Sequence, residues 1–267
     1  PNETLYSFIF LLRDSYNAEF LHDWNHAKET AQFLVHVLVN GKIASFFNVK
    51  EKFAMLVACL SHDAGYNRQE TVEVPLSLLY GKKGEFGSHH ISSLIQIAAK
   101  KQCNIFQCFD NEKDNNKKEL NDVWKIVIDL ILATDMSLHF DLMDQIQKAA
   151  ADDGSFKKTE NRLLLMKLFV MMCDISNLAR PPEFANKAKD VISQDFFNCG
   201  ADLERLTGID NAALKDIKKL DEEKRLFPFI ISVCIPIFKC VTEIFPNLKY
   251  LYDQVRSNMQ CWNLPID

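Results

Sequence analysis

The chain has 267 residues, 48% of them hydrophobic and 25% charged, with a formal net charge of −5. That length can bury a sizeable core as one large or two small domains without disulfides. The mild negative charge argues against nucleic acid as a partner and leaves any anionic substrate to be met by local positive charge such as metal ions.

Only eight glycines and eight prolines punctuate the chain, and its apolar residues recur at helical rather than alternating spacing. Both features predict an all-α protein. In chain order, helices are expected in "TLYSFIFLLRDSY" (4–16), "AKETAQFLVHVLVN" (27–40), "KFAMLVACLSH" (52–62) and "SSLIQIAAK" (92–100). They continue in "DVWKIVIDLILAT" (122–134), "RLLLMKLFVMMCDIS" (162–176) and "FIISVCIPIFKCVTEIF" (229–245). Asn40-Gly41 closes the second stretch and Asn121-Asp122 opens the fifth. "GKKGEFGS" (81–88) reads as a turn-rich connection, and it lacks both the spacing and the preceding strand of a phosphate-binding loop. "FDNEKDNNKKELND" (109–122) reads as a solvated loop or exposed helix start. No repeat or dividing linker is visible, so residues 1–267 are expected to form a single domain.

The cysteines at 59, 103, 108, 173, 199, 234, 240 and 261 are scattered, with no CxxC pair. They read as reduced, mostly buried residues of an intracellular protein. No signal-like start is present, and the longest apolar run, "LFPFIISVCIPIF" (226–238), is too short to span a bilayer. The chain opens on Pro1, so it is expected to be an excerpt of a longer protein, cytoplasmic unless a segment outside it attaches it to a membrane.

Three short segments carry the chemistry. "HDWNHA" (22–27) sets His22 and His26 four residues apart, which on one helix would place both on one face. Taken alone, such a pair is more often explained by core filling or exposure. "SHDAGYNR" places His62 and Asp63 side by side at the end of an apolar helix, and "MMCDISN" ends another apolar run on Asp174. A carboxylate approaching a core is costly unless it is paired or bound to metal. Imidazoles and carboxylates from separate helices suit Zn2+ with a harder Mg2+ or Mn2+ beside it, a two-metal hydrolytic site rather than a structural zinc.

The segment "SFIFLLRDSYNAEFLHDWNHA" resembles the catalytic domain of class I 3′,5′-cyclic nucleotide phosphodiesterases, whose signature reads roughly Tyr-His-Asn-x-x-His-Ala. "HD" at 62–63, "LILATDMSLHF", and "CDISN" followed by "DFFNCG" resemble further motifs of that family, in its order. The resemblance implies a compact multi-helix bundle of the HD type with a deep metal-containing pocket. It also implies hydrolysis of cAMP or cGMP to the 5′-monophosphate, compatibility with a homodimer, and N-terminal helices lying outside this chain. It places His22 at the general acid that protonates the leaving 3′ oxygen, and His26, His62, Asp63 and Asp174 at the metal ligands, with Asp63 bridging both ions. Ile192, Phe196 and Phe229 fall where the family sandwiches the purine, and Asn177 falls near the nucleotide. Each of the three apolar residues is equally explained by core packing.

The pattern is broken at four positions. Asp23 replaces the asparagine after the acid histidine, Tyr66 a histidine four residues beyond His62, Gly87 a glutamate before the paired histidines, and Leu226 the glutamine that hydrogen-bonds the purine edge. Asp23 and Tyr66, with Thr134 of the "LATDMS" segment, are the expected supports around the metals, the first two as a replacement network for His22. The departures keep two further readings open: an HD-type phosphohydrolase acting on another phosphoester, and a weakly catalytic nucleotide-binding or scaffold protein.

Overall fold

The computed structural model describes residues 2–16, 22–66, 85–110, 117–152, 155–193 and 227–264. Among them the regular structure is helical, with no strand. Two compact units divide the chain, Pro1–Asp174 and Ile175–Asp267.

The first unit holds α1 (Asn2–Asp14), α2 (Trp24–Asn40), α3 (Val49–Ser61), α4 (Glu85–Ala98), α5 (Lys118–Leu132), α6 (His139–Ala150) and α7 (Thr159–Asp174). α3 is its centre: it packs on α2, α5 and α7 and buries Ala54, Met55, Val57, Ala58 and Cys59. A capping box starts it, in which Asn48 accepts from the Glu51 amide while Glu51 accepts from the Asn48 amide. Glu51 also takes two bonds from Arg162 in the first turn of α7, at 2.6 and 2.5 Å, and Arg162 donates to the Phe46 carbonyl at 2.8 Å. α3 and α7 are thus tied together at their N-terminal ends and run side by side in one direction.

The second unit contains a helix over residues 182–193, here α8. A π-helical turn, Ile230–Cys234, then continues into α9 (Ile235–Ile244), followed by α10 (Lys249–Cys261). Asn258 of α10, fully buried, donates to the carbonyls of Leu178 and Arg180, both at 2.8 Å, and pins the short 3-10 turn Ser176–Ala179.

Several boundaries differ from expectation for local reasons. α4 begins at Glu85, so the second half of "GKKGEFGS" is helix rather than connection, and residues 81–84 lie outside the described part. α5 begins at Lys118, which puts Asn121-Asp122 inside the helix. The described part of the apolar run, 227–238, belongs to a longer helix, Phe227–Ile244, of 18 residues, long and apolar enough by length and composition alone to cross a membrane. Buried helices of soluble proteins meet the same test, and Ile230, Val233, Ile237, Phe238 and Val241 are buried here. None of the seven described cysteines is in a disulfide; five are buried, and Cys108 and Cys261 are exposed.

Candidate functional site

The helix ends of the first unit converge on one polar cluster. His26 lies in the first turn of α2, His62 caps the C-terminus of α3, Asp63 follows it, and Asp174 is the last residue of α7. The carbonyl ends of α3 and α7 carry the negative poles of their helix dipoles, a field that favours a cation.

The distances are those of a ligand shell. His26 Nε2 stands 2.9 Å from Asp174 Oδ1 and 3.2 Å from His62 Nε2, and His62 Nε2 stands 3.1 Å from both Asp174 Oδ1 and Asp63 Oδ2. The His62 Nδ1–H donates to the Cys59 carbonyl at 3.0 Å. A carbonyl can only accept, so this bond fixes the tautomer and turns the Nε2 lone pair into the cluster. His26, His62 and Asp174 offer ligand atoms within 4.8 Å of one another, as do His22, His26 and Asp63. Two imidazole Nε2 atoms in near contact, flanked by carboxylates, require a proton or a cation between them. This donor set therefore fits a divalent metal.

The electrostatics of the metal-free cluster agree. Burial pushes His62 down, but Asp63 and Asp174 outweigh it and hold the imidazole well above its ordinary value. Burial would raise Asp63; His22 and His62 instead hold it well below the carboxylate range, and His62 and His26 do the same for Asp174. The cluster thus keeps both carboxylates ionised and retains a proton that a cation can displace.

His22 does not share a helix face with His26. α2 starts only at Trp24, because the Asp23 carboxylate caps it by accepting from the His26 amide at 2.8 Å, so His22 precedes the helix. From there its Nδ1 lies 2.8 Å from Asp63 Oδ2, and its ring lies 4.7 Å, centre to centre, from that of Tyr66. The carboxylate set against His22 is thus Asp63, while Asp23 serves the helix and Asn25. Thr134 lies just past the end of α5, and its hydroxyl donates to the Ile131 carbonyl at 2.9 Å. Asn177, Ile192 and Phe229 belong to the second unit, each half-buried. Phe196 and Leu226 lie outside the described residues.

Gly87 has a packing reason. A Cβ there would come within 3.0 Å of Leu132 Cδ2, because α4 runs close against α5 at that point. The structure also brings in two histidines to which the sequence reading gave no role. His89 and His90 of α4 donate to the carbonyls of Gly65 and Ala64, both at 2.9 Å. Their only signal in the sequence was a histidine pair opening an apolar helix. Burial lowers His90 to about 4 despite Asp63, so its ring is neutral at physiological pH.

A family model described as 3′5′-cyclic nucleotide phosphodiesterase matches residues 21–255. The chain belongs to this family. Among its relatives are proteins named cGMP-specific 3′,5′-cyclic phosphodiesterase from Drosophila pseudoobscura pseudoobscura and Drosophila melanogaster, each 30% identical over 98% of this chain. The chain spans 24% and 23% of those proteins, about a quarter of their length. The fold of this family member is also that of a solved structure titled "Structure of LmjPDEB1 in complex with IBMX". The TM-score is 0.85 at 23% identity, over 98% of this chain and 79% of that one.

Proposed function

We propose that the chain hydrolyses a 3′,5′-cyclic nucleotide, cAMP or cGMP, to the 5′-monophosphate, as one catalytic domain of a longer protein. The observation that carries this reading is the closed set of His26, His62, Asp63 and Asp174 with His22 docked on Asp63.

His26, His62, Asp63 and Asp174 would hold two divalent cations, which we assign as Zn2+ and Mg2+ or Mn2+. When bound, such ions neutralise the charge of the phosphate and acidify water at the phosphorus. His22 acts on the other side of the reaction. Its Nδ1–H donates to Asp63, which orients the ring and leaves Nε2 as the atom that delivers a proton to the 3′ oxygen as the P–O bond breaks. Resemblance to the family is what assigns Asn177, Ile192, Phe196, Leu226 and Phe229 to the nucleotide base, and a leucine at 226 offers no hydrogen bond to the purine edge.

The test is release of 5′-AMP and 5′-GMP from cAMP and cGMP with Mg2+ or Mn2+, beside His22→Ala. Turnover should fall by about two to four orders of magnitude in the variant, the usual contribution of a positioned acid. Folded, metal-loaded wild-type protein that releases neither product sinks the reading.

Gly87 favours a second reading. A Cβ at this position would crowd the Leu132 side chain at 3.0 Å, and glycine supplies no carboxylate there to support a second cation. A nucleotide-binding protein of low turnover would bind cyclic nucleotide without releasing product in the same assay.

A further inference from the structure

His22 stands in a bend ahead of α2, and its side chain is 30% exposed, so neither a helix nor close packing on all sides fixes its ring. An acid must nevertheless present Nε2 in one direction. The bond from Nδ1 to Asp63 Oδ2 at 2.8 Å holds one corner of the imidazole. A bond at one corner leaves the plane free to swing about it, and Nε2, on the far side of the ring, is the atom that the swing displaces.

Tyr66 limits that swing. Its ring centre lies 4.7 Å from that of His22 with the planes tilted by 41°, the spacing of two aromatic rings in contact. His26 meets the same imidazole edge-on, at 6.0 Å and 89°. The bond and the Tyr66 contact come from a single turn. The Tyr66 amide donates to the Asp63 carbonyl at 3.0 Å, and Gly65 between them has φ +75°, a conformation that glycine adopts without strain. A Cβ on Gly65 would fall on the Ser93 hydroxyl, so the turn is closely packed from outside. Asp63 and Tyr66 thus grip His22 as one rigid piece, the carboxylate at Nδ1 and the phenol ring against the imidazole. Tyr66 stands where the family pattern has a histidine, so this chain sets a larger ring against its acid.

We propose that Tyr66 is a positioning residue for His22: its ring, rather than its hydroxyl, holds the plane of the imidazole and so sets the direction in which Nε2 points. The inference rests on the diesterase reading above and assigns the part that Tyr66 plays in it.

The experiment compares full-chain wild type with Tyr66→Phe, Tyr66→Leu, His22→Ala and the double variant His22→Ala with Tyr66→Leu. It reads kcat and KM for cAMP and cGMP with Mn2+ and, in the metal-free protein, the NMR shift of the His22 Cε1–H, identified by its loss in His22→Ala. Tyr66→Leu should lower kcat about ten- to hundredfold with KM near wild type, the scale of a small misplacement of a reacting group, and should move the Cε1–H signal as the ring current is lost. Tyr66→Phe should recover most of that kcat and return the signal toward its wild-type place. On the His22→Ala background Tyr66→Leu should cost nothing further, because a residue that acts through another adds no loss once the other is gone. A further loss there, or a Cε1–H signal indifferent to Tyr66→Leu, overturns the proposal. Tyr66→Phe as slow as Tyr66→Leu overturns the role of the ring. If Tyr66→Leu does not fold, Tyr66→Met replaces it under the same criteria. Wild type without turnover sinks the diesterase reading and this inference with it, whereas wild-type turnover that Tyr66→Leu leaves intact sinks this inference alone.

Discussion

Asp23 stands between two histidines, yet its carboxylate is spent on the α2 N-terminus, where it accepts the His26 amide and fixes the ring that amide carries. Asparagine caps a helix as well as aspartate does, and alanine does not. We therefore predict that Asp23→Asn leaves melting temperature and the pH–rate profile near wild type, while Asp23→Ala costs about 1 kcal/mol. A displaced acid limb in Asp23→Asn would show instead that its charge acts on His22. Residue identities were the most legible part of this site: His26, His62, Asp63 and Asp174, named from sequence, meet within bonding distance. Hidden were the partners set by long-range folding. The bond from His22 to Asp63 spans 41 positions and that from His90 to Ala64 spans 26, and no local pattern encodes either.

At the scale of elements, α3 and α7 form a matched pair. Both are joined near their starts by Glu51 and Arg162, and both end on cluster residues, His62 eleven positions on and Asp174 twelve, about 17 Å away at the helical rise. Burial raises Glu51, but the Arg162 hydrogen bonds win and hold its carboxyl below the ordinary value. Removing one partner strands the other's charge. Arg162→Met should destabilise the protein by about 3 kcal/mol, and a paired Glu51→Leu should restore much of the loss, read from denaturant midpoints. Equal stability of wild type and Arg162→Met would show that the tie is idle. The long apolar helices were legible by their period. α6 "HFDLMDQIQKAA", α10 "KYLYDQVRSNMQC" and the 182–193 helix were not picked out, because polar residues interrupt their stripes and packing partners supply the rest.

Across the whole molecule, His22, His26, His62, Asp63 and Asp174 belong to the first compact unit, whereas Asn177, Ile192 and Phe229 belong to the second. Cation binding can thus be followed as stabilisation of a folded unit. In the metal-free protein His62 titrates above its unfolded value of about 6.5. Its protonated form therefore adds stability that is complete below that pH and is lost as pH rises through the folded value. A divalent ion takes the proton's place, so the rise in melting temperature on adding Mn2+ should grow as pH rises above about 6.5; a constant or shrinking rise would mean that His62 is not displaced. All-α architecture was readable from composition and period alone, and order of motifs pointed to the family. The matched run of α3 and α7 has one more consequence, for descent. A single residue gained or lost between Glu51 and His62, or between Arg162 and Asp174, swings the far end by about 100° and takes the ligand off the cluster. Length changes among surviving variants should therefore fall outside such helices, as between residues 110 and 117, leaving these two intervals with a fixed count.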